Sequence, residues 1–98
     1  MSVATQKLPG SETIDLLFPA DGGVESITMR RPKVRDLQAH DKAQGGPAEK
    51  ELALFANLCM VAPNVLESLD IADYGALQEV YSGFLSSRKK TSGSDVSS

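Results

Sequence analysis

A proline at position 32 divides the chain into two parts with different hydrophobic periods, and this change restricts the fold more than any other feature. Before Pro32, apolar and polar residues alternate, which is the period of two expected of half-buried strands. After it, apolar residues recur every three or four positions, as they do on one face of a helix. Proline has no amide hydrogen for a β-ladder, but its fixed φ suits the first turn of a helix. The chain is therefore predicted to pass from strands to helices at Pro32.

Two strands joined by a glycine turn are predicted before Pro32. The first covers residues 13–18 and ends at Pro19, and the second covers residues 24–29. Asp21-Gly22-Gly23 supplies the turn, because glycine reaches positive φ at little cost. The pattern indicates a β-hairpin whose inward side chains are Ile14, Leu16, Phe18, Ile27 and Met29.

Glycine and proline divide the remaining chain into short helices. The first is predicted at 32–43, with Val34 and Leu37 facing inward and His40 as a further candidate. The second is predicted at 47–61, with an apolar stripe that includes Cys59 and Met60. A short third helix holds Val65, Leu66 and Leu69, and a fourth starts at the N-cap Asp70. Its helical face carries Tyr74, Leu77, Tyr81 and Phe84.

The two ends of the chain differ from its middle. Residues 1–11 are interpreted as a flexible arm, and residues 12–86 as a single domain, which is all that 98 residues allow. From Ser86 onward only Val96 is apolar, so the segment cannot offset its ordering entropy, and 87–98 is predicted to be disordered. The fold class is α+β: an N-terminal β-hairpin, three to four short α-helices and a disordered Ser-rich tail.

Few residues are suited to catalysis. The chain has one histidine and one cysteine, too few for a transition-metal site. His40 and Asp41 are helix neighbours that point in different directions, so they do not form a base and its orienting partner. Cys59 lies in an apolar run and is predicted to be a buried thiol in a reducing compartment. We expect no enzyme activity, no cofactor and no metal.

The location of the protein also follows from what the sequence lacks. There is no apolar run of about 18 residues that could cross a bilayer. Residues 1–10 contain no apolar core of signal-peptide length. We therefore expect a protein of the cytoplasm with no membrane partner.

Charge is unevenly distributed along the chain. Between Ala48 and Tyr81 there are six acids and a single base, Lys50, so this half is acidic and could steer self-association. Asp70 and Asp73 are interpreted as charges that favour a helix N-terminus. A basic cluster precedes this acidic half and consists of Arg30, Arg31, Lys33 and Arg35.

The basic cluster has two interpretations. It could contact phosphates as part of a small DNA-binding regulator. Alternatively, it is a solvated strand end and helix start, whose arginines pair with acids such as Asp36 or with those of the later helices. The formal net charge of −3 disfavours nucleic acid, because DNA-binding modules usually carry a domain-wide positive field.

The helices contain more large apolar residues than a short hairpin can cover. Most of them are interpreted as core, but the remainder could leave a groove for an amphipathic partner segment or for a second copy of the chain. The residues of this set are Phe55, Leu58, Tyr74, Leu77, Tyr81, Phe84 and Leu85.

The order of these motifs resembles a known family. An extended segment ends in Arg30-Arg31-Pro32 and enters a helix through Val34-x-x-Leu37, and after Gly45-Gly46 comes Glu51-Leu52-Ala53-Leu54. This order is similar to that of the E-type tail assembly chaperones of tailed bacteriophages, over roughly residues 14–85. The later matching positions are Asn57-Leu58, Val61, Leu66, Leu69, Asp70-Ile71-Ala72-Asp73-Tyr74, Leu77-Gln78 and Phe84-Leu85.

The resemblance implies a role in virion morphogenesis rather than a reaction. Such a chaperone coats the helical tape-measure protein in the bacterial host cytoplasm until tail-tube subunits replace it, and it is absent from the finished virion. A longer form made by ribosomal frameshifting is also implied, and Lys89-Lys90 is a candidate slippery stretch. A minor structural tail protein remains an alternative. The expected partner-binding residues are Phe55, Tyr74, Leu77, Tyr81, Phe84 and Leu85, with Arg30, Arg31, Lys33 and Arg35 as candidate electrostatic contacts.

Overall fold

An antiparallel hairpin followed by four helices makes up the domain, and this confirms the predicted α+β class. The structure is a computed structural model that describes residues 10–92. The predicted arm lies almost wholly outside these residues. The elements are β1 (Ser11–Ala20), β2 (Val24–Arg30), α1 (Val34–Lys42), α2 (Pro47–Cys59), α3 (Pro63–Glu67) and α4 (Ile71–Ser92).

The hairpin turn is the one that the glycines predict. Gly22 and Gly23 have φ values of 84° and 76°, and the Gly23 amide donates to the Ala20 carbonyl oxygen at 3.0 Å. Regular pairing runs from Ser11↔Arg30 to Asp15↔Ser26, is interrupted, and resumes at Ala20↔Val24. The strand thus continues past Pro19, but the residues around this proline leave the ladder, since proline cannot donate to it.

One face of the hairpin packs against α2 and α4 and forms the core. Ile27 and Met29 are buried, as predicted, while Ile14 and Leu16 are half-buried at its margin. Phe18 was predicted to face inward with them, but 58% of its surface is exposed. The interruption of the ladder after Asp15 accounts for this, because it ends the strict alternation of faces. The largest fully buried side chains are Phe55, Met29, Leu58 and Leu77.

The first helix starts two residues later than predicted and faces the core differently. Lys33 is the N-cap of α1, so Pro32 precedes the helix instead of forming its first turn. Val34 is 73% exposed and Leu37 is 37% exposed, so the prediction that both face inward was wrong. The buried residue of α1 is Asp36, and its polar contacts fix the orientation of the helix.

The second helix ends at a left-handed residue. Met60 has φ 56° and ψ 45° as the C-cap, and it is 83% exposed. Its predicted place in the apolar stripe was therefore wrong, because the left-handed turn takes its side chain off the helical face. Cys59, one position earlier, is buried as predicted.

The last helix begins as predicted. The Asp70 side chain caps it by accepting a hydrogen bond from the Ala72 amide at 3.0 Å. Its backbone is helical to Ser92. Residues 93–98 of the predicted tail lie outside the described part.

Candidate interaction surface

The basic cluster has two of its four residues engaged in the fold. The Arg30 guanidinium forms a two-pronged pair with Asp36, with Nη1–Oδ2 at 2.8 Å and Nη2–Oδ1 at 3.0 Å. This contact is one of the two interpretations of the cluster, namely pairing with an acid at the start of the first helix. The pair ties the end of β2 to α1.

Two further groups donate hydrogen bonds to the Asp36 carboxylate. The Lys33 amide donates to Oδ2 at 2.7 Å, and the Asn57 side chain of α2 donates to Oδ1 at 3.2 Å. Hydrogen bonds from the Arg30 guanidinium, and next from the Lys33 amide, hold the pKa of the Asp36 carboxyl far below its ordinary value. Asp36 is therefore a carboxylate at any physiological pH, and it joins β2, α1 and α2.

Arg31 connects the same corner to α4. Its Nη2 donates to the Phe84 carbonyl oxygen at 3.2 Å, and its guanidinium carbon lies 5.0 Å from the centre of the Phe84 ring. Lys33 and Arg35, by contrast, are exposed. The two arginines before Pro32 thus hold the helices to the hairpin, and the two bases after it face solvent.

Half of the expected partner-binding residues lie in the core. Phe55 and Leu77 are fully buried, and Phe84 is 7% exposed, so none of the three offers a surface to a partner in this conformation. Tyr74 and Tyr81 are half-buried, and Leu85 is 50% exposed. The helical spacing of these residues is visible in the sequence, but spacing alone does not show which of them are buried in the core and which are exposed.

The two tyrosines both pack against Phe55. The Phe55 ring centre lies 5.6 Å from that of Tyr74 and 5.2 Å from that of Tyr81, both in tilted arrangements. The Tyr74 hydroxyl donates to Glu51 Oε1 at 2.9 Å, and the Gln78 amide donates to the same oxygen at 3.1 Å. Burial, followed by the Glu51 hydrogen bond, raises the pKa of Tyr74. The Tyr74 hydroxyl is therefore committed to this contact.

Tyr81 forms one wall of an open groove between the helices. The groove has a volume of about 440 Å³ and lies where the end of α1, the start of α2 and the middle of α4 meet. Leu54 and Pro47 supply further apolar surface. A smaller cavity of about 230 Å³ between α1 and α2 shares Leu54 with it. Their other common residues are His40 and Lys50.

Comparison with known families identifies the family of the chain. A family model described as phage tail assembly chaperone proteins, E, or 41 or 14, matches residues 13–86. The chain belongs to this family of phage tail assembly chaperones. No curated protein and no solved structure matches it. The family match begins in β1 and ends in α4, so it includes the hairpin, all four helices and the groove.

Membership of the chaperone family implies interaction with phage tail proteins and favours a non-enzymatic role. Burial raises the pKa of the Cys59 thiol to about 11, so at neutral pH it lacks the thiolate that a nucleophile needs. Within residues 10–92, no three metal-ligating side chains come together. No helix of this part of the chaperone is long and apolar enough to cross a membrane.

Several exposed apolar residues were not among the sequence candidates. They lie at the end of β1, on α1, after α2 and at the start of α4, so they are dispersed over the chaperone. These positions lie at the interruption of the β-ladder or next to a helix cap, and neither feature has a hydrophobic period. The most exposed members are Leu17, Phe18, Val34, Met60 and Ile71.

Proposed function

We propose that this chaperone binds the tape-measure protein of its phage and keeps it soluble until the tail tube polymerises around it. It acts in the cytoplasm of the bacterial host and is absent from the mature virion. The tape-measure protein is a long, apolar helical chain in the family that the sequence resembles. A partner of this kind needs a surface that binds apolar helical faces without demanding one sequence.

The groove beside Tyr81 carries this proposal. Its apolar walls are side chains from two different helices, Leu54 on α2 and Tyr81 on α4, with Pro47 at one end. An amphipathic helix can place its apolar face in such a groove, with its polar face left in water. The contact is then determined by helical periodicity more than by side-chain identity, which suits a long partner chain.

Polar residues at the groove rim favour exchange over permanent binding. His40, Lys50 and Glu51 supply both basic and acidic groups beside the apolar wall. Interfaces with a polar rim and a small apolar centre belong to the weaker, transient class. Tail-tube subunits could then replace the chaperone during assembly.

Co-expression with the tape-measure protein tests the proposal. We expect the tape-measure protein to become soluble and to co-purify with the chaperone. Tyr81→Ala, which removes apolar surface from the groove wall, should reduce the co-purified amount at least tenfold. Met60→Ala is the matched control, since it removes an apolar side chain that is 83% exposed and lies outside the groove lining.

Two outcomes contradict the proposal. If the tape-measure protein is equally insoluble with and without the chaperone, and no complex is recovered, tape-measure binding is wrong. If the chaperone is found in purified virions, the minor structural tail protein is favoured instead. Thermal unfolding of each variant shows whether lost binding reflects lost folding, which matters for Tyr81 because it packs on Phe55.

The proposal extends to a longer form of the chain made by frameshifting and to self-association. A slippery heptamer in the codons for Lys89-Lys90 supports the longer form, and its absence from the gene removes it. The alternative of a DNA-binding regulator has less support, because Arg30 and Arg31 are engaged with Asp36 and Phe84.

A further inference from the structure

The helix α1 is attached to the rest of the domain in an unusual way. Its one buried side chain is a carboxylate, Asp36, and its most apolar residues, Val34 and Leu37, face partly or largely outward. Helices of globular domains are normally held by an apolar stripe that faces the core. Here the fully buried contact of the helix is polar.

An open cleft of about 230 Å³ lies along the contact between α1 and α2. It is lined by Ala39 and Ala43 at the end of α1 and by Ala53 and Leu54 on α2. Small side chains on both sides leave few dispersion contacts across this space. The Asn57 side chain donates to Asp36 across this space at 3.2 Å. A hydrogen bond therefore connects the two helices where apolar packing is sparse.

Both ends of α1 have backbone that can act as a hinge. Lys33, the N-cap between β2 and the helix, has an extended backbone. At the other end, Gly45 has φ 105°, and a Cβ there would come within 2.5 Å of Glu49 Oε1. A left-handed glycine beside a helix terminus is a place where the chain direction can change at low cost.

We propose that α1 is a displaceable strap, released from α2 when the contacts to Asp36 break and without unfolding of the core. A helix of nine residues is too short to be stable alone, so the released strap loses its helical hydrogen bonds at the same time. Release and melting are therefore one cooperative event, and every amide of the strap becomes exchangeable with solvent together.

Release of the strap changes the binding surface, a consequence that rests on the proposed function. The cavity beneath the strap and the groove beside Tyr81 share Leu54, so displacing α1 joins them into one longer trough along α2. In the closed form the strap occupies part of the surface that a partner helix would use. The strap thus limits access to the site until a partner competes for it.

Hydrogen exchange of the full chain without any partner tests the strap. In the wild-type protein at pH 7, we expect the α1 amides from Gln38 to Lys42 to exchange at least a hundredfold faster than those of Phe55–Cys59. Low urea concentrations should leave the α1 rate unchanged and accelerate exchange in α2, because local opening exposes little surface. The proposal is overturned if the α1 amides exchange at the same rate as the α2 amides and both rates depend on urea in the same way.

A variant at Asp36 provides the second measurement. Asp36→Asn weakens the Arg30 pair, and we expect α1 exchange to accelerate at least tenfold more than exchange in α2. Asp41→Asn is the matched control, since Asp41 lies on the same helix and its side chain is 84% exposed. Equal acceleration of α1 and α2 by Asp36→Asn contradicts the strap. If that variant does not fold, the wild-type urea dependence still tests it.

The two proposals can fail separately. Strap opening is measured on the chaperone alone, so a failure to capture the tape-measure protein leaves that result standing. Conversely, a strap that never opens locally leaves the groove beside Tyr81 available for a partner.

Discussion

Two buried aspartates show how much of this small fold depends on single carboxylates. Asp36 and Asp73 are 5% and 2% exposed, and each accepts backbone amides at a place where regular hydrogen bonding fails. Asp36 takes the amide of Lys33 at the start of α1. Asp73 takes the amides of Leu17 and Phe18, where β1 leaves the ladder. Both acids therefore complete the backbone hydrogen bonding of neighbouring elements.

Asp73 is the simpler of the two to test. Its Oδ1 and Oδ2 accept the Leu17 amide at 2.9 and 3.0 Å, and Oδ2 also accepts the Phe18 amide at 3.2 Å. Asp73→Ala leaves both amides without this acceptor, and we expect the free energy of unfolding to fall by about 1–3 kcal/mol. Urea denaturation measures the change.

The control for Asp73 lies in the strand that it contacts. Asp15 is exposed, so Asp15→Ala should change the free energy of unfolding by less than about 0.5 kcal/mol. Asp73→Asn keeps one acceptor oxygen, so its loss in free energy of unfolding should lie between those of Asp73→Ala and Asp15→Ala. Equal stability of Asp73→Ala and Asp15→Ala would show that water replaces the carboxylate at these amides.

Among the elements, α4 is long but is weakened by its own sequence. Gly75 and Gly83 lie within it, and an added Cβ at either position meets nothing within 4 Å. Alanine favours a helix interior over glycine by about 1 kcal/mol, so Gly75→Ala and Gly83→Ala should each stabilise the fold by about 0.5–1 kcal/mol. Thermal unfolding followed by circular dichroism measures both shifts in Tm.

Gly45 provides the opposite case. Its φ of 105° and the nearby Glu49 side chain make a Cβ unfavourable, so Gly45→Ala should destabilise the protein. Stabilisation by Gly45→Ala would show that the loop between α1 and α2 relaxes freely. A loss of stability in Gly83→Ala would mean that α4 bends at this glycine.

The elements also differ in how well the sequence predicted them. The hairpin and α2 were predicted closely, because strand alternation and an apolar stripe both report burial directly. The position of α1 was predicted, but its orientation was not, since Val34 and Leu37 have helical spacing and yet the helix is fixed by Asp36. Periodicity records apolar spacing and carries no information about a buried ion pair.

The expected partner-binding residues stay a prediction, and the fold divides them between core and surface. Leu85 is exposed and Tyr74 and Tyr81 are half-buried, while Phe55, Leu77 and Phe84 are core. Which of two apolar residues on one helix is buried depends on where α2 and the hairpin pack. That packing is a property of the tertiary structure, and no pattern along α4 contains it.

For the whole molecule, a short chain with a modest core relies on polar ties between its elements. Arg30 and Asp36 join β2 to α1, Arg31 joins β2 to α4, and Asp73 joins α4 to β1. Domains of this size bury a smaller fraction of their surface than larger domains do. Each of these polar contacts therefore contributes a larger share of the free energy of unfolding. The stability of the molecule should therefore depend on the ionisation of Asp36, whose pKa the fold lowers.

Acid should destabilise the chaperone through Asp36 in a defined pH range. The folded state holds the Asp36 pKa far below its ordinary value, which is about 3.9 in an unfolded chain. The stabilisation is therefore complete above about pH 5. As the pH falls below about 4, the unfolded chain takes up this proton before the folded protein does. Each pH unit in that range should remove up to about 1.4 kcal/mol of the free energy of unfolding through this one group.

Urea denaturation of the wild type and of Asp36→Asn between pH 2.5 and 7 isolates the contribution of Asp36. The wild type should be the more stable at pH 7, and the difference in free energy of unfolding should shrink towards pH 2.5, because the asparagine side chain of the variant does not titrate. The free energy of unfolding of Asp41→Asn should change with pH in the same way as that of the wild type, since the Asp41 carboxylate is exposed. A difference that stays constant with pH would mean that Asp36 stabilises the fold through hydrogen-bond geometry alone and that its charge contributes nothing.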